Sequence, residues 1–131
     1  MPLVKILLAE DDHDDQKLFR EFLEDRTDIH ILPIVENGEE LLESLKLIST
    51  TSELPGLIIL DQNMPKLNGL QTLKELKNSE IYAHIPVMVY STYTDAHLVN
   101  SCAAEGACAV ISKPISKDGY HEMMDDLLKL I

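Results

Sequence analysis

At 131 residues, 45% of them apolar and 26% charged, the chain has the size and composition of one soluble globular domain with a real core. Its net charge of −12 argues against nucleic acid or an anionic membrane surface as the main partner, and against a DNA-binding output domain. The opening Met1-Pro2-Leu3-Val4-Lys5 lacks a signal-peptide layout and no apolar run approaches membrane-spanning length, so a cytoplasmic protein is expected.

In chain order, Lys5-Ile6-Leu7-Leu8-Ala9 is a first strand that stops against Glu10-Asp11-Asp12-His13-Asp14-Asp15. Leu18, Phe19, Phe22 and Leu23 form the apolar stripe of a helix over about 14–24. Asp14 and Asp15 at its start suit the positive helix N-terminus, which accounts for them without a functional role. Residues 29–35 make a second strand that Pro33 assigns to a sheet edge. Asn37-Gly38 caps a helix striped by Leu41, Leu42, Leu45 and Ile48, and 49–56 is a polar linker.

Leu57-Ile58-Ile59-Leu60 then runs without interruption into Asp61. A short β-branched apolar run bounded by turn formers reads as a strand buried on both faces, the kind found in parallel sheets covered by helices. Asp61 leaves at its carboxyl end, where open α/β sheets hold ligands, and is either a plain loop-start acid or a nucleophile. Pro65 and Gly69 turn the chain sharply into a helix carrying Leu70, Leu73 and Leu76, which ends near Asn78-Ser79. Residues 85–91 form a fourth strand ending in Ser91. Asp95 opens a helix with Leu98, Val99, Cys102 and Ala103, closed by Gly106. Residues 108–112 are a fifth strand ending in Lys113-Pro114. A last helix from about Lys117 places Tyr120, Met123, Met124, Leu127, Leu128 and Ile131 on one face. Cys102 and Cys108 are too few for a disulfide framework or a zinc site and are read as reduced structural thiols. Five strands alternating with five helices imply a parallel sheet joined by right-handed crossovers.

Four strand ends thus carry Glu10-Asp11, Asp61, Ser91 and Lys113, and in a parallel sheet they converge at one edge. Crowded carboxylates raise each other's pKa unless a cation intervenes, and a hard divalent ion such as Mg²⁺ relieves that repulsion. An oxygen nucleophile with a metal, an ammonium and a hydroxyl around it suits phosphoryl transfer.

The set Ile6-Leu7-Leu8-Ala9-Glu10-Asp11-Asp12, Asp61-Gln62-Asn63-Met64-Pro65 with Gly69, Ser91-Thr92 and Lys113-Pro114 resembles the receiver domain of two-component response regulators, above all the stand-alone, chemotaxis-type members. The resemblance covers essentially the whole chain. It implies a flavodoxin-like (βα)5 fold with strand order 2-1-3-4-5, as one receiver domain over 1–131 without an output domain. It implies that Asp61 is the phosphoacceptor, taking its phosphoryl group from a sensor histidine kinase. Asp11 would be a direct Mg²⁺ ligand, Glu10 a ligand through water, and Asn63 a ligand through its backbone carbonyl. Ser91 would be the switch hydroxyl and Lys113 the cation that pairs with the phosphoryl group. Lys113-Pro114 is similar to a peptide that is often cis in the family. The signal would pass to a downstream protein through the fourth and fifth helices and the fifth strand, in a monomer or homodimer. The opening Glu10-Asp11-Asp12 and the 49–56 linker are similar to small regulators paired with phytochrome-type kinases.

Some positions depart from the family pattern. Asp12 lengthens the acidic run and competes for the metal if the register slips by one. Thr92 is bulkier than the usual small residue, and Val110 stands where many relatives carry a switching aromatic. Tyr93 and Asn63 sit where the family tunes acyl-phosphate lifetime. His13 is read as an exposed loop residue, Met123 and Met124 as packing residues, and the remaining histidines form no ligand pair. Two other functions compete with the signalling switch. A Mg²⁺-dependent aspartyl-phosphate phosphohydrolase of the haloacid dehalogenase kind needs a second acid where this chain has Asn63. A non-phosphorylated docking module has no use for Glu10, Asp11, Asp61, Ser91 and Lys113 together.

Overall fold

The computed structural model describes residues 3–48 and 50–131. The expectations on Met1, Pro2 and the start of the linker at Ser49 lie outside the described residues. Five strands, β1 (Val4–Ala9), β2 (Ile29–Ile31), β3 (Leu57–Asp61), β4 (Val87–Ser91) and β5 (Ala109–Ser112), form one parallel sheet in the order β2-β1-β3-β4-β5. Five helices alternate with them: α1 (His13–Leu23), α2 (Gly38–Lys46), α3 (Gly69–Lys77), α4 (Ala96–Ala104) and α5 (Lys117–Leu130). The sheet is the expected one, with β3 at its centre and every β3 residue buried.

Side-chain alternation along the strands divides the core in two. Ile6 and Leu8 of β1, Leu57 and Ile59 of β3, and Met88 and Tyr90 of β4 face α1 and α5, which contribute Phe19, Leu23, Tyr120, Met123, Met124 and Leu127. The intervening Leu7, Ala9, Ile58, Leu60, Val87 and Val89 face α2, α3 and α4. The Tyr120 ring meets Phe19 edge-on, with centroids 6.1 Å apart, and so ties α5 to α1. Arg26 reinforces that seam with ion pairs to Asp28 at 2.7 Å and Asp125 at 2.8 Å.

The differences from the sequence reading lie at element ends. β2 is three residues long rather than seven, because Pro33 cannot donate to the ladder. Pairing with the first strand nevertheless resumes beyond it, through Val35 N–H to the Leu8 carbonyl at 3.1 Å and Glu10 N–H to the Val35 carbonyl at 2.9 Å. Residues 85 and 86 precede β4, and Cys108 precedes β5. The linker holds one 3₁₀ turn, Thr51–Glu53. Val99 and Ala103 of α4 are exposed, so that helix buries only Cys102 and part of Leu98. Ile131 is likewise exposed. Asn37 and Asp95 cap α2 and α4 as their sequence suggests, and Asp12, Asn68 and Ser116 cap α1, α3 and α5. Gly106, at φ +97°, ends α4 in the left-handed region that favours glycine.

Gly38 is where α2 meets the loop leading into α3. A Cβ there would collide with Thr72 Oγ1 and stand 2.7 Å from Leu67 Cβ. Gly38→Ala is therefore expected to destabilise the fold by roughly 1–3 kcal/mol through overpacking, despite alanine's better helix propensity. Urea unfolding checks this: the midpoint should fall with the slope unchanged, and an unshifted midpoint would contradict the close packing.

Candidate functional site

The same alternation that builds the core aims the chemistry. Glu10 continues the phase of Ile6 and Leu8, Asp61 that of Leu57 and Ile59, and Lys113 that of Ala109 and Ile111. All three therefore leave their strands on the α1/α5 side of the sheet. Their ends meet: Lys113 Nζ lies 2.9 Å from Glu10 Oε1 and 3.4 Å from Asp61 Oδ2. Ser91, one position out of phase with Tyr90, ends β4 buried beside them. Its Oγ accepts from Tyr93 N–H at 3.3 Å and from Asn63 Nδ2 at 3.5 Å, both long contacts. The cleft above is about 410 Å³ and is lined by Asp11, Asp12, Asp15, Asp61, Asn63, Thr92 and Lys113.

Glu10 is fully buried and well anchored. Its Oε1 accepts from Tyr90 Oη at 2.8 Å as well as from Lys113, and its Oε2 accepts from Asp12 N–H at 3.2 Å. Asp61 is buried with weaker donors, Asn63 N–H at 3.3 Å and the more distant Lys113. Burial first, then the hydrogen bond and charge of Glu10, push the Asp61 carboxyl from its ordinary 3.8 up to about 8, against the pull of Lys113. Burial opposes the Lys113 ammonium, but hydrogen bonds to Asp15 and Glu10 prevail and raise its pKa. Burial and the Glu10 charge raise the Tyr90 phenol, which stays a donor at all ordinary pH.

Glu10, Asp11 and Asp61 each offer a carboxylate oxygen, all within 4.8 Å of one another. Hard oxygen donors converging in this way fit a divalent cation of the Mg²⁺ type, whose bonds run about 2.0–2.1 Å and which keeps several waters. An Asp61 carboxyl pushed up by burial and by the charge of Glu10 is the kind of carboxylate that such an ion relieves. Asp12 does not belong to this trio. It is the N-cap of α1, its Oδ1 accepting Asp15 N–H at 3.0 Å, so the register of the acidic run is the unslipped one. His13 is exposed, as expected, and meets Glu36 at 3.0 Å.

Two participants were not singled out by sequence. Asp15, taken for a helix-dipole acid, also pairs with Lys113 at 2.9 Å; the 98 residues between them leave no local signal. Tyr90 was detectable, since the period-2 phase of β4 sets it on the face of Glu10, Asp61 and Lys113. One expectation is corrected. The Lys113–Pro114 peptide is trans, and no cis peptide occurs among the described residues. Val110, in place of an aromatic, faces the α2/α3/α4 side half-buried, while Tyr93 is exposed.

A family model described as the response regulator receiver domain matches residues 6–125. The protein-glutamate methylesterase/protein-glutamine glutaminase of Clostridium acetobutylicum is 32% identical over 133 residues, an alignment spanning 100% of this chain and 36% of that protein. The chain spans half or less of the length of the first curated relatives it matches. Among solved structures, the phosphorylated cyanobacterial phytochrome response regulator RcpA superposes with a TM-score of 0.82 at 27% identity, covering 98% of this chain and 93% of that one. The Mn²⁺-bound form of response regulator Rcp1 gives 0.78 at 28% identity, covering 93% and 90%. No helix among the described residues is long and apolar enough to cross a membrane.

The raised Asp61 pKa has a stability consequence. A carboxyl whose folded pKa exceeds its unfolded value favours folding less and less as pH climbs between the two, here from about 4 to about 8. Asp61→Asn removes that titration. In chelator, the melting temperature of the variant should gain on that of the native chain as pH rises through this window. The gain should reach several degrees by its upper end. Parallel melting curves across the window would refute the buried, charge-starved Asp61.

Proposed function

The chain belongs to the response regulator receiver domain family, and from that premise we propose that Asp61 is its phosphoacceptor, charged by a sensor histidine kinase in a Mg²⁺-dependent reaction. The observation that carries this reading is the meeting of Lys113 Nζ with both Glu10 and Asp61 at the tips of separate strands. The phosphorylated state of RcpA and the Mn²⁺ bound by Rcp1 support it by similarity. The phytochrome in the name of RcpA favours a phytochrome-type kinase as the donor.

The residues divide the work as follows. Asp11 and Asp61, Glu10 through water, and the Asn63 carbonyl hold the metal. A bound Mg²⁺ supplies the positive charge that ionises Asp61 and neutralises the phosphoryl oxygens. An ionised Asp61 oxygen attacks phosphorus as the bond to the donor imidazole nitrogen breaks, and the imidazole leaves with the electron pair. Lys113, already beside the Asp61 Oδ2, pairs with one phosphoryl oxygen. Ser91, whose Oγ is held only by long contacts, turns to donate to another. The two conformations differ in the partners of Ser91 and Lys113, and that difference supplies the free energy of switching. Its outlet is the α4-β5-α5 face, where Val99 and Ile115 stand exposed to a downstream protein or a second copy. Asn63 and Tyr93, at the rim, set how fast water reverses the modification. The cytoplasm, where kinase domains of this class work, is the expected compartment.

Incubation with Mg²⁺ and acetyl phosphate should add the mass of one phosphoryl group to the intact protein. The gain should disappear with excess chelator and in Asp61→Asn. Ser91→Ala should still be labelled but lose the phosphorylation-dependent NMR shifts on α4 and β5. Labelling that survives Asp61→Asn, or steady turnover of phosphomonoesters, would defeat the assignment.

A further inference from the structure

We propose that Tyr90 is a positioning residue of the metal centre, its hydroxyl fixing the Glu10 carboxylate so that Oε1 is tied into the fold and Oε2 is left toward the acidic cluster. The inference rests on reading Glu10, Asp11 and Asp61 as the metal's ligands.

Tyr90 is an odd core residue. It is completely buried, yet it carries a phenol at the end of β4 that faces the cleft, where a phenylalanine would fill the same space. Its hydroxyl donates to Glu10 Oε1 at 2.8 Å, inside the sheet's α1/α5 layer. The Cα register sets Tyr90 directly beside Asp61, one strand over. Glu10 Oε1 thus has two donors, Tyr90 and Lys113, while Oε2 has only the longer contact from Asp12 N–H. The two donors on Oε1 are not equivalent. Lys113 is shared among three carboxylates and stands 5.1 Å from the Tyr90 ring centroid, free to change partners across that ring face. Among the described residues, Glu10 is the one hydrogen-bond partner of the tyrosine hydroxyl. When Lys113 turns to the phosphoryl oxygens, Tyr90 is the donor that remains, and it keeps the buried Glu10 oxygen from being stranded. A hydrogen bond of this kind orients the carboxylate that holds the metal's water, and outer-shell partners of a metal site commonly alter affinity by about tenfold or more when removed.

Tyr90→Phe deletes only the hydroxyl and keeps both the packing and the ring beneath Lys113. Binding is read with Mn²⁺ as the probe, by electron paramagnetic resonance of the free ion, in the absence of any phosphodonor. Tyr90→Phe is expected to weaken Mn²⁺ about tenfold in Kd. The same substitution made in a Glu10→Ala background should change Mn²⁺ affinity by less than about twofold, since the group Tyr90 acts through is gone. A purely structural tyrosine would lower the melting temperature and leave Kd alone. A Tyr90→Phe Kd within twofold of native, or an equal loss with and without Glu10, overturns the inference. No Mn²⁺ binding by the native chain would instead overturn the metal reading beneath it, and the inference with it.

Discussion

One ammonium group serves a crowd of carboxylates. Lys113 lies 2.9 Å from Glu10, 2.9 Å from Asp15 and 3.4 Å from Asp61, and two of those three acids are buried. Water cannot stabilise the extra charge there, so one proton stays on Asp61 far above the ordinary carboxylate range. Lys113 thus balances only part of the negative charge gathered around it. The proposed attraction for a divalent ion and the proposed change of partners by Lys113 both follow from this imbalance between a single cation and its acceptors.

The sheet makes the imbalance possible. A carboxylate at the tip of an isolated strand would be solvated and unremarkable. Here β3 is central and buried throughout, and β1 and β4 lie on either side of it. The two-residue period then carries Glu10, Asp61, Tyr90 and Lys113 to one side of the sheet, under α1 and α5. Leu, Ile and Val along the strands exclude water up to the last residue, and the polar groups start where the apolar run stops. Gly69 lets the next helix start tightly against this edge: a Cβ there would sit 2.9 Å from the Asp61 carbonyl oxygen. The backbone around the acid is thus held by packing, while the acid itself has only weak donors. That combination leaves the carboxylate accurately placed and chemically available.

The fold was almost entirely legible in the sequence. Strands such as Leu57-Ile58-Ile59-Leu60-Asp61 and helix starts at Asn37 and Asp95 are encoded in a few neighbouring residues each. Where the reading drifted, a local rule met a tertiary one. Pro33 shortened β2, yet the chain beyond it returned to β1 because Val35 and Glu10 still had ladder bonds to make. Val99 and Ala103 fit an apolar helix stripe by spacing, but α4 rests on the sheet only through a narrow line at Cys102 and Leu98. At the site, strand-end position brought Glu10, Asp11, Asp61, Ser91 and Lys113 to light. Asp15 did not appear, because its pairing with Lys113 joins the first turn of α1 to the end of β5, and nothing near either residue records it. Tyr90 was passed over for a different reason. A tyrosine in an apolar strand looks like core, which it is, and only the phase it shares with Glu10 and Lys113 shows where its hydroxyl must go.

The absence of an aromatic at Val110 bears on how a signal leaves such a site. Val110 packs toward α2, α3 and α4, so it does not share the layer in which Lys113 moves. On the proposed switch, the connection from the acid to the outer face would run through hydrogen bonds instead. Ser91 is held from above by Tyr93 N–H, and Thr94 shares a 3.0 Å hydrogen bond with Ser112 at the end of β5. Asp95, next in the chain, caps α4 through Leu98 N–H at 2.8 Å. Residues 91–95 therefore form a short strap that touches the site, the fifth strand and the fourth helix in succession. On the proposed role of Ser91, pulling it toward a phosphoryl group would break the first of these contacts and load the next two. A strap of hydrogen bonds has more than one low-energy arrangement, which is what a two-state switch requires. Swinging a large buried ring is one way to meet that requirement, and repartnering two hydroxyls along a loop is another.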